Sequence, residues 1–361
     1  MAIHFRQLQI QDIRQETEDC ISVSFLIPEQ WKEEFNYKAG QNISLRSTVG
    51  NEELRRTYSI CNSPHEHELR IAIKKVVEGK FSSYAHDHLH SKDWIDVLPP
   101  AGNFILPMKP ENKNHYVAFA AGSGITPVIA ILKTILLEEP ESRITLIYGN
   151  RMRNTIIFRE ELENIKNNYP ERFQLIHIFS REKTDLAIQE GRIDAEKCAL
   201  IFKHLVPLSN NEQFLLCGPA PMIFSLREWL LNQKIDTKKI HYELFSDPGE
   251  SAAFVKKDSP ENKINPGEKS VVTIRLDGVS QEYHMPKSGS SILAFAIQEG
   301  ADLPYACKAG VCASCRAKLI EGKITMDQNY ALADEELEEG FILACQAHPV
   351  SNKLTIDFDI R

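Results

Sequence analysis

Nowhere in this sequence do apolar residues run for the roughly 20 positions that a membrane-spanning helix needs, so no helical membrane span is expected. Basic residues are in deficit: 42 Lys and Arg face 50 Asp and Glu, and a net charge of −8 argues against a general nucleic-acid binder. The opening Met1-Ala-Ile-His-Phe-Arg6 lacks the basic-then-apolar layout of a secretory signal. No internal repeat and no low-complexity tract is present. Four of the eight cysteines (Cys20, Cys61, Cys198 and Cys217) are scattered without pattern, which suits a reducing compartment better than a disulfide framework. The cytoplasm is the expected location.

The other four cysteines are patterned. Cys307-Lys-Ala-Gly-Val-Cys312-Ala-Ser-Cys315 has the spacing C-x4-C-x2-C, and 29 residues then precede Cys345. This is the plant-type ligand pattern for a [2Fe–2S] cluster. The small residues Ala309, Gly310, Ala313 and Ser314 let backbone N–H groups approach the sulfides. A zinc ribbon would pair its cysteines as C-x2-C…C-x2-C, and this array does not. Cys307, Cys312, Cys315 and Cys345 are therefore the candidate metal ligands.

At 361 residues the chain calls for two or three domains. Alternating short runs at 20–27, 42–46, 55–61, 69–76 and 94–98 predict an antiparallel β-barrel over residues 1–107. From 108 to 247 strands alternate with helices, which predicts an α/β domain with a parallel sheet: strands at 116–121, 144–148, 173–179 and 213–217, helices at 126–138, 158–167 and 220–232. Residues 248–268, rich in Pro, Gly, Ser and charge, read as a linker. The last segment, 269–361, reads as an α+β (β-grasp) domain, with strands near 270–276, 281–285 and 353–358 and a helix at 290–299. Its acidic run from Asp334 to Glu339 is either a solvated helix face or a docking face for a basic partner.

Arg55-Arg56-Thr57-Tyr58-Ser59-Ile60 is the informative stretch of the first domain. On a strand Arg56, Tyr58 and Ile60 share one face and Ser59 the other. Arg56 could meet a pyrophosphate, Tyr58 a flat ring, and Ser59 a ring nitrogen. An ordinary exposed strand with a core tyrosine fits the same residues. Gly79-Lys-Phe-Ser82 opens a short helix, either as an anion site or as a plain cap. Gly122-Ser-Gly124-Ile-Thr126-Pro127 follows a strand and opens a helix. The third glycine of the dinucleotide fingerprint is missing, and Pro127 suits the first helical turn. Ser180-Arg181 at a later strand end offers a hydroxyl and a cation to a 2′-phosphate, so NADPH is expected over NADH. Cys217-Gly-Pro ends a strand where open α/β sheets bind ligands, although a buried core cysteine would look the same.

Taken in order, R-x-Y-S, G-x-x-S, G-x-G-x-x-P, C-G-P and the cysteine array span nearly the whole chain. The assembly resembles the ferredoxin–NADP reductase superfamily fused to a plant-type ferredoxin. At closer range Glu53–Cys61, Ala121–Pro127, Leu146–Arg151 and Gly300–Lys308 are similar to the reductase subunits of phenylacetyl-CoA epoxidases. The resemblance implies FAD held by Arg56, Thr57, Tyr58, Ser59, Gly79 and Ser82, and a pyridine nucleotide on Gly122, Gly124 and Thr126. It places Cys217 near the nicotinamide and Ser180 and Arg181 at the 2′-phosphate, and it makes Ser59, tuning the flavin nitrogen, and Cys217, shaping the nicotinamide pocket, the catalytic residues. Glu243-Leu-Phe245 resembles the E-x-aromatic ending of the reductase module, where the aromatic covers the flavin. The implied partner is the oxygenase component of a multicomponent system.

Overall fold

The computed structural model describes residues 4–209, 211–245 and 268–360. Six antiparallel strands come first: β1 (Arg6–Thr17), β2 (Cys20–Leu26), β3 (Asn42–Val49), β4 (Glu52–Ser59), β5 (Leu69–Lys74) and β6 (Trp94–Ala101), in the order β4-β3-β6-β1-β2-β5. A bridge between Ile60 and Ile71 ties the two ends together, so the sheet closes into a barrel. Ile10, Val23, Ile43, Leu45, Ile71 and Val97 fill its interior. Helix α1 (Lys80–His88) adds Phe81 and Ala85 to the same core. β1 was not anticipated, because RQLQIQDIRQET is too polar to stand out as a strand. Its pairing with both β2 and β6 holds it in place.

The next unit runs β7 (His115–Ala121), α2 (Ile125–Glu138), β8 (Arg143–Asn150), α3 (Arg159–Asn168), β9 (Phe173–Phe179), α4 (Ala195–His204), β10 (Glu212–Gly218), α5 (Ala220–Asn232) and β11 (Ile240–Leu244). The five strands form a parallel sheet ordered β11-β10-β7-β8-β9. The chain leaves β7 on one side and returns on the other, so the strand order reverses between β7 and β10. A crevice opens there at the carboxyl ends of the strands. Val117 and Phe119 face one core and Ala118 and Ala120 the other, as expected of a strand covered on both faces. Helix α2 is buried nearly all round because it packs on this sheet and also on Ala39, Cys61, Ala72 and Phe104 of the barrel. Lys133 pairs with Glu66 at 2.7 Å, and Thr134 donates to the Ser63 hydroxyl at 2.9 Å, fixing the two units together.

The last unit comprises β12 (Lys269–Leu276), β13 (Val279–Pro286), α6 (Ile292–Gln298), β14 (Arg316–Glu321), β15 (Ile324–Met326), α7 (Asp334–Glu338), β16 (Phe341–Leu343), β17 (Ala347–Pro349) and β18 (Lys353–Asp357). Its main sheet is ordered β13-β12-β18-β14-β16, and β15 pairs separately with β17. Only the β12–β18 pair is parallel. The expected linker at 248–268 lies outside the described residues, apart from Glu268.

Candidate active site and cluster loop

The turn after β7 owes its shape to two glycines. Gly122 sits at φ 54°, and its carbonyl accepts a hydrogen bond from the Tyr148 hydroxyl at 2.9 Å. A Cβ on Gly124 would lie 2.3 Å from the Cys217 carbonyl oxygen, so only glycine lets this turn pass the end of β10. Thr126, buried, donates to the Ser123 carbonyl at 3.0 Å. The turn thus leads directly into the N-terminus of α2, an arrangement suited to phosphate.

Beside this turn the barrel and the parallel sheet share a polar corner. The register of β10 and β11 sets Cys217 opposite Glu243. Glu243 accepts from the Ser59 hydroxyl at 3.1 Å and from Asn42 Nδ2 at 3.5 Å. Burial raises the Glu243 carboxyl to about 7, with the Ser59 and Asn42 hydrogen bonds opposing the rise. Burial, and then the Glu243 charge, hold the Cys217 thiol well above its ordinary value, so it stays neutral. Phe245 donates its N–H to the Gly218 carbonyl at 3.1 Å, and its ring packs on the core that contains Cys217. Sequence reasoning nominated Ser59 and Cys217 separately. It missed Asn42 altogether and noticed Glu243 only as part of an ending motif, although the strand position of that motif was the available signal.

Along β4, Arg56 is exposed and donates to the Arg55 carbonyl at 2.8 Å. The Thr57 and Ser44 hydroxyls lie 3.0 Å apart. The Tyr58 ring is 6.0 Å from Phe81, the second residue of α1, which brings the R-x-Y-S strand and the Gly79–Ser82 turn together. Gly79 is the N-cap of α1. Ser82 closes that turn, accepting from the Val76 N–H at 3.1 Å and donating to the Gly79 carbonyl at 3.2 Å. Ser180 and Arg181 lie just beyond β9, with their N–H groups on the carbonyls of Asn150 and Arg151, both at 3.0 Å. Their side chains are exposed. Neighbouring cations are matched, Arg153 with Glu182 and Lys183 with Glu190, whereas Arg181 has no acidic partner among the described residues.

The cysteine loop turns through three left-handed residues, Lys308 (φ 56°), Gly310 (φ 73°) and Ala313 (φ 54°). This curl points the Ala309 N–H at the Cys307 sulfur (3.3 Å) and the Cys307 N–H at the Cys312 sulfur (3.5 Å). Gln346 Nε2 reaches the Cys345 sulfur at 3.6 Å. The thiols fall into two pairs. A hydrogen bond from Cys307 pushes Cys312 down to about 5 and one from Cys315 lowers Cys345, while the donors Cys307 and Cys315 are raised by the same bonds. Among the described residues no three His, Cys, Asp or Glu side chains converge on a single-metal position. Two sulfur pairs, each fit for one iron and fed by N–H donors, suit a two-iron cluster and do not suit one tetrahedral zinc.

The loop faces the other two units. Ser314 Oγ lies 3.2 Å from Ser44 Oγ, which in turn contacts Thr57. Val311 and Tyr330 pack against the core of the parallel-sheet unit. The acidic run divides: Asp334, Glu335, Glu338 and Glu339 are exposed, but Glu336 turns inward, 2.8 Å from Arg316 Nε and hydrogen-bonded by Asn103 of the barrel.

Three family models match in succession. They are an oxidoreductase FAD-binding domain over residues 7–105, an oxidoreductase NAD-binding domain over 119–228, and a 2Fe-2S iron-sulfur cluster binding domain over 274–350. The chain is 40% identical over 357 residues to one of the subunits of the 1,2-phenylacetyl-CoA epoxidase of Escherichia coli (strain K12), covering 99% of this chain and 98% of that one. It is 31% identical to the ferredoxin reductase component of 3-ketosteroid-9-alpha-monooxygenase from Rhodococcus rhodochrous, covering 97% and 96%. Among solved structures, phthalate dioxygenase reductase aligns over 98% of both chains with a TM-score of 0.58 at 21% identity.

Proposed function

From the premise that this chain belongs to the family of oxygenase reductase components with FAD, NAD-binding and [2Fe–2S] domains, we propose that it draws electrons from NADPH for a phenylacetyl-CoA epoxidase. The observation that carries this reading is the meeting of Ser59, Glu243 and Cys217 beside a cysteine loop whose Ser314 touches the barrel. When bound, the flavin would supply two-electron hydride chemistry and the cluster one-electron transfer. The protein holds and orients these groups.

Arg56 supplies charge for the flavin pyrophosphate, Tyr58 a ring plane, and Thr57 a hydroxyl steadied by Ser44. Gly79 and Ser82 shape the α1 turn for the same pyrophosphate. Ser59, fixed by Glu243, presents its hydroxyl at the reactive ring nitrogen. Cys217 contributes a neutral thiol to the nicotinamide pocket, which Phe245 closes over. Gly122, Gly124 and Thr126 form the nucleotide phosphate turn, and Ser180 with Arg181 receives the 2′-phosphate. Cys307, Cys312, Cys315 and Cys345 would hold the cluster, with N–H groups of Cys307, Ala309 and Gln346 directed at their sulfurs. The functional division is 1–107, 108–247 and 269–361, joined by 248–268. The buried, unpaired Cys20, Cys61, Cys198 and Cys217 support a cytoplasmic location.

Anaerobic stopped-flow mixing with NADPH and NADH, followed by addition of the epoxidase oxygenase component, tests this reading. Flavin absorbance is expected to fall first, then cluster absorbance, with NADPH faster and phenylacetyl-CoA consumed. Faster reduction by NADH would overturn the nucleotide assignment. Full reduction without phenylacetyl-CoA turnover would reassign the partner to another oxygenase.

A further inference from the structure

Arg55 precedes Arg56 in β4 but faces the other way, and the reductase chemistry above leaves it unused. Its side chain is only 6% exposed. The guanidinium lies 4.0 Å from the Tyr305 ring centroid and 5.0 Å from that of Phe5. Its N–H groups donate to Glu53 at 2.9 Å, to the Leu303 carbonyl at 3.3 Å and to Asp302 at 3.5 Å. Asp302, Leu303 and Tyr305 form the approach to Cys307, and Lys308 sits 4.5 Å from the same tyrosine ring. A side chain of the barrel is thus buried in the ferredoxin unit two residues before its first ligand cysteine.

A buried cation is tolerated only where partners replace its water, and here most of those partners come from another domain. The flat guanidinium also suits this place as an ammonium would not, because it stacks on rings and donates from its edge at once. Other contacts cross the same boundary: Ser44 to Ser314 at 3.2 Å, Asn103 to the Ala331 carbonyl at 3.0 Å and to the Glu336 carboxylate, and His4 to Asp277 at 2.9 Å. The Asn103 and His4 contacts lie at the exposed rim, and none of these contacts inserts a side chain as deeply as Arg55.

We propose that Arg55 is a positioning residue: the pin that docks the ferredoxin unit on the barrel and sets the cysteine loop beside β3 and β4. The pin rests on the functional reading above only for its kinetic consequence. Its structural consequence stands alone.

The test uses the holoprotein with both cofactors and two variants, Arg55→Ala on the barrel and Tyr305→Leu on the ferredoxin unit. Hydrogen–deuterium exchange should quicken in both at residues 302–308 and along β3 and β4, and small-angle scattering should show a more extended particle. Flavin reduction by NADPH should keep its wild-type rate, while the following loss of cluster absorbance slows about tenfold, the loss expected for one desolvated cation–π contact. Arg55→Lys should restore little of that rate. Unchanged exchange and unchanged flavin-to-cluster transfer in both variants would overturn the proposal. Should Arg55→Ala shed its flavin, Tyr305→Leu decides the matter from the other side. If NADPH fails to reduce even the wild-type flavin, the functional reading falls, and exchange and scattering still decide the pin.

Discussion

The cysteine loop and the Ser59–Glu243–Cys217 corner handle charge in opposite ways. In the loop, the hydrogen bond within each pair of thiols lowers one sulfur, Cys312 to about 5, and raises its partner, so each pair holds one negative charge readily. In the corner, burial lifts the Glu243 carboxyl to about 7 and makes negative charge hard to hold. The loop achieves its effect locally, through left-handed turns at Lys308, Gly310 and Ala313 that aim its own N–H groups inward. The corner depends on how two domains meet, since Ser59 and Asn42 come from the barrel and Glu243 and Cys217 from the parallel sheet. A local site should fail ligand by ligand, and an interfacial one should fail with anything that moves the interface.

The largest effect is expected from Cys345→Ser, which deprives one sulfur pair of a member. Iron content and visible cluster absorbance should be lost nearly completely, while bound flavin and its reduction by NADPH persist. Loss of flavin as well would break the claim that the two sites are independently built. Gly124→Ala is the converse experiment. Its new Cβ would press on the Cys217 carbonyl, at a cost of about 1–3 kcal/mol for forced overpacking. A lower melting transition and slower flavin reduction, with normal iron content, are the expected results.

Glu243→Gln sharpens the contrast in charge. A carboxyl raised by burial keeps its proton in the folded protein after the unfolded chain has lost it. Its stabilising contribution is therefore complete below the ordinary glutamate range and declines as pH rises to about 7, after which it is level. Denaturation of the wild type should show this downward slope, and the Gln variant should flatten it. An identical pH profile in the two proteins would remove Glu243 from the buried corner. The smallest effect belongs to Arg181→Ala, which touches neither region. The NADPH-over-NADH ratio of kcat/KM should fall about tenfold, the scale of one charge-assisted hydrogen bond, with both cofactor spectra unchanged.

How much of this could be read beforehand follows the same divide. Cys307, Cys312 and Cys315 stand within one loop, so metal geometry becomes a spacing. Gly122-x-Gly124 and the strand–helix alternation around it were legible for the same local reason, and β9 and α5 fell at the expected residues. Glu243 and Ser59 are 184 positions apart, and nothing in either neighbourhood predicts their hydrogen bond. It arises from β11 lying beside β10 and from α2 wedging the sheet against the barrel. Arg55 was overshadowed by Arg56 because alternation assigns faces but not what a face meets. Strands β14 to β17 escaped notice because each has only three to six residues between turns, too few for a period to show.

The parallel pairing of β12 with β18 has a consequence for how the protein is made. Val271 bonds in register with Lys353 and Arg275 with Asp357, so the middle of that sheet joins residues translated some eighty positions apart. The barrel and the parallel sheet can assemble while the ribosome is still at work, because their own partners precede them. The ferredoxin unit cannot close until residues 353–357 have emerged, by which time all four cysteines have been exposed together. Closure of the cluster unit therefore follows that of the two units before it.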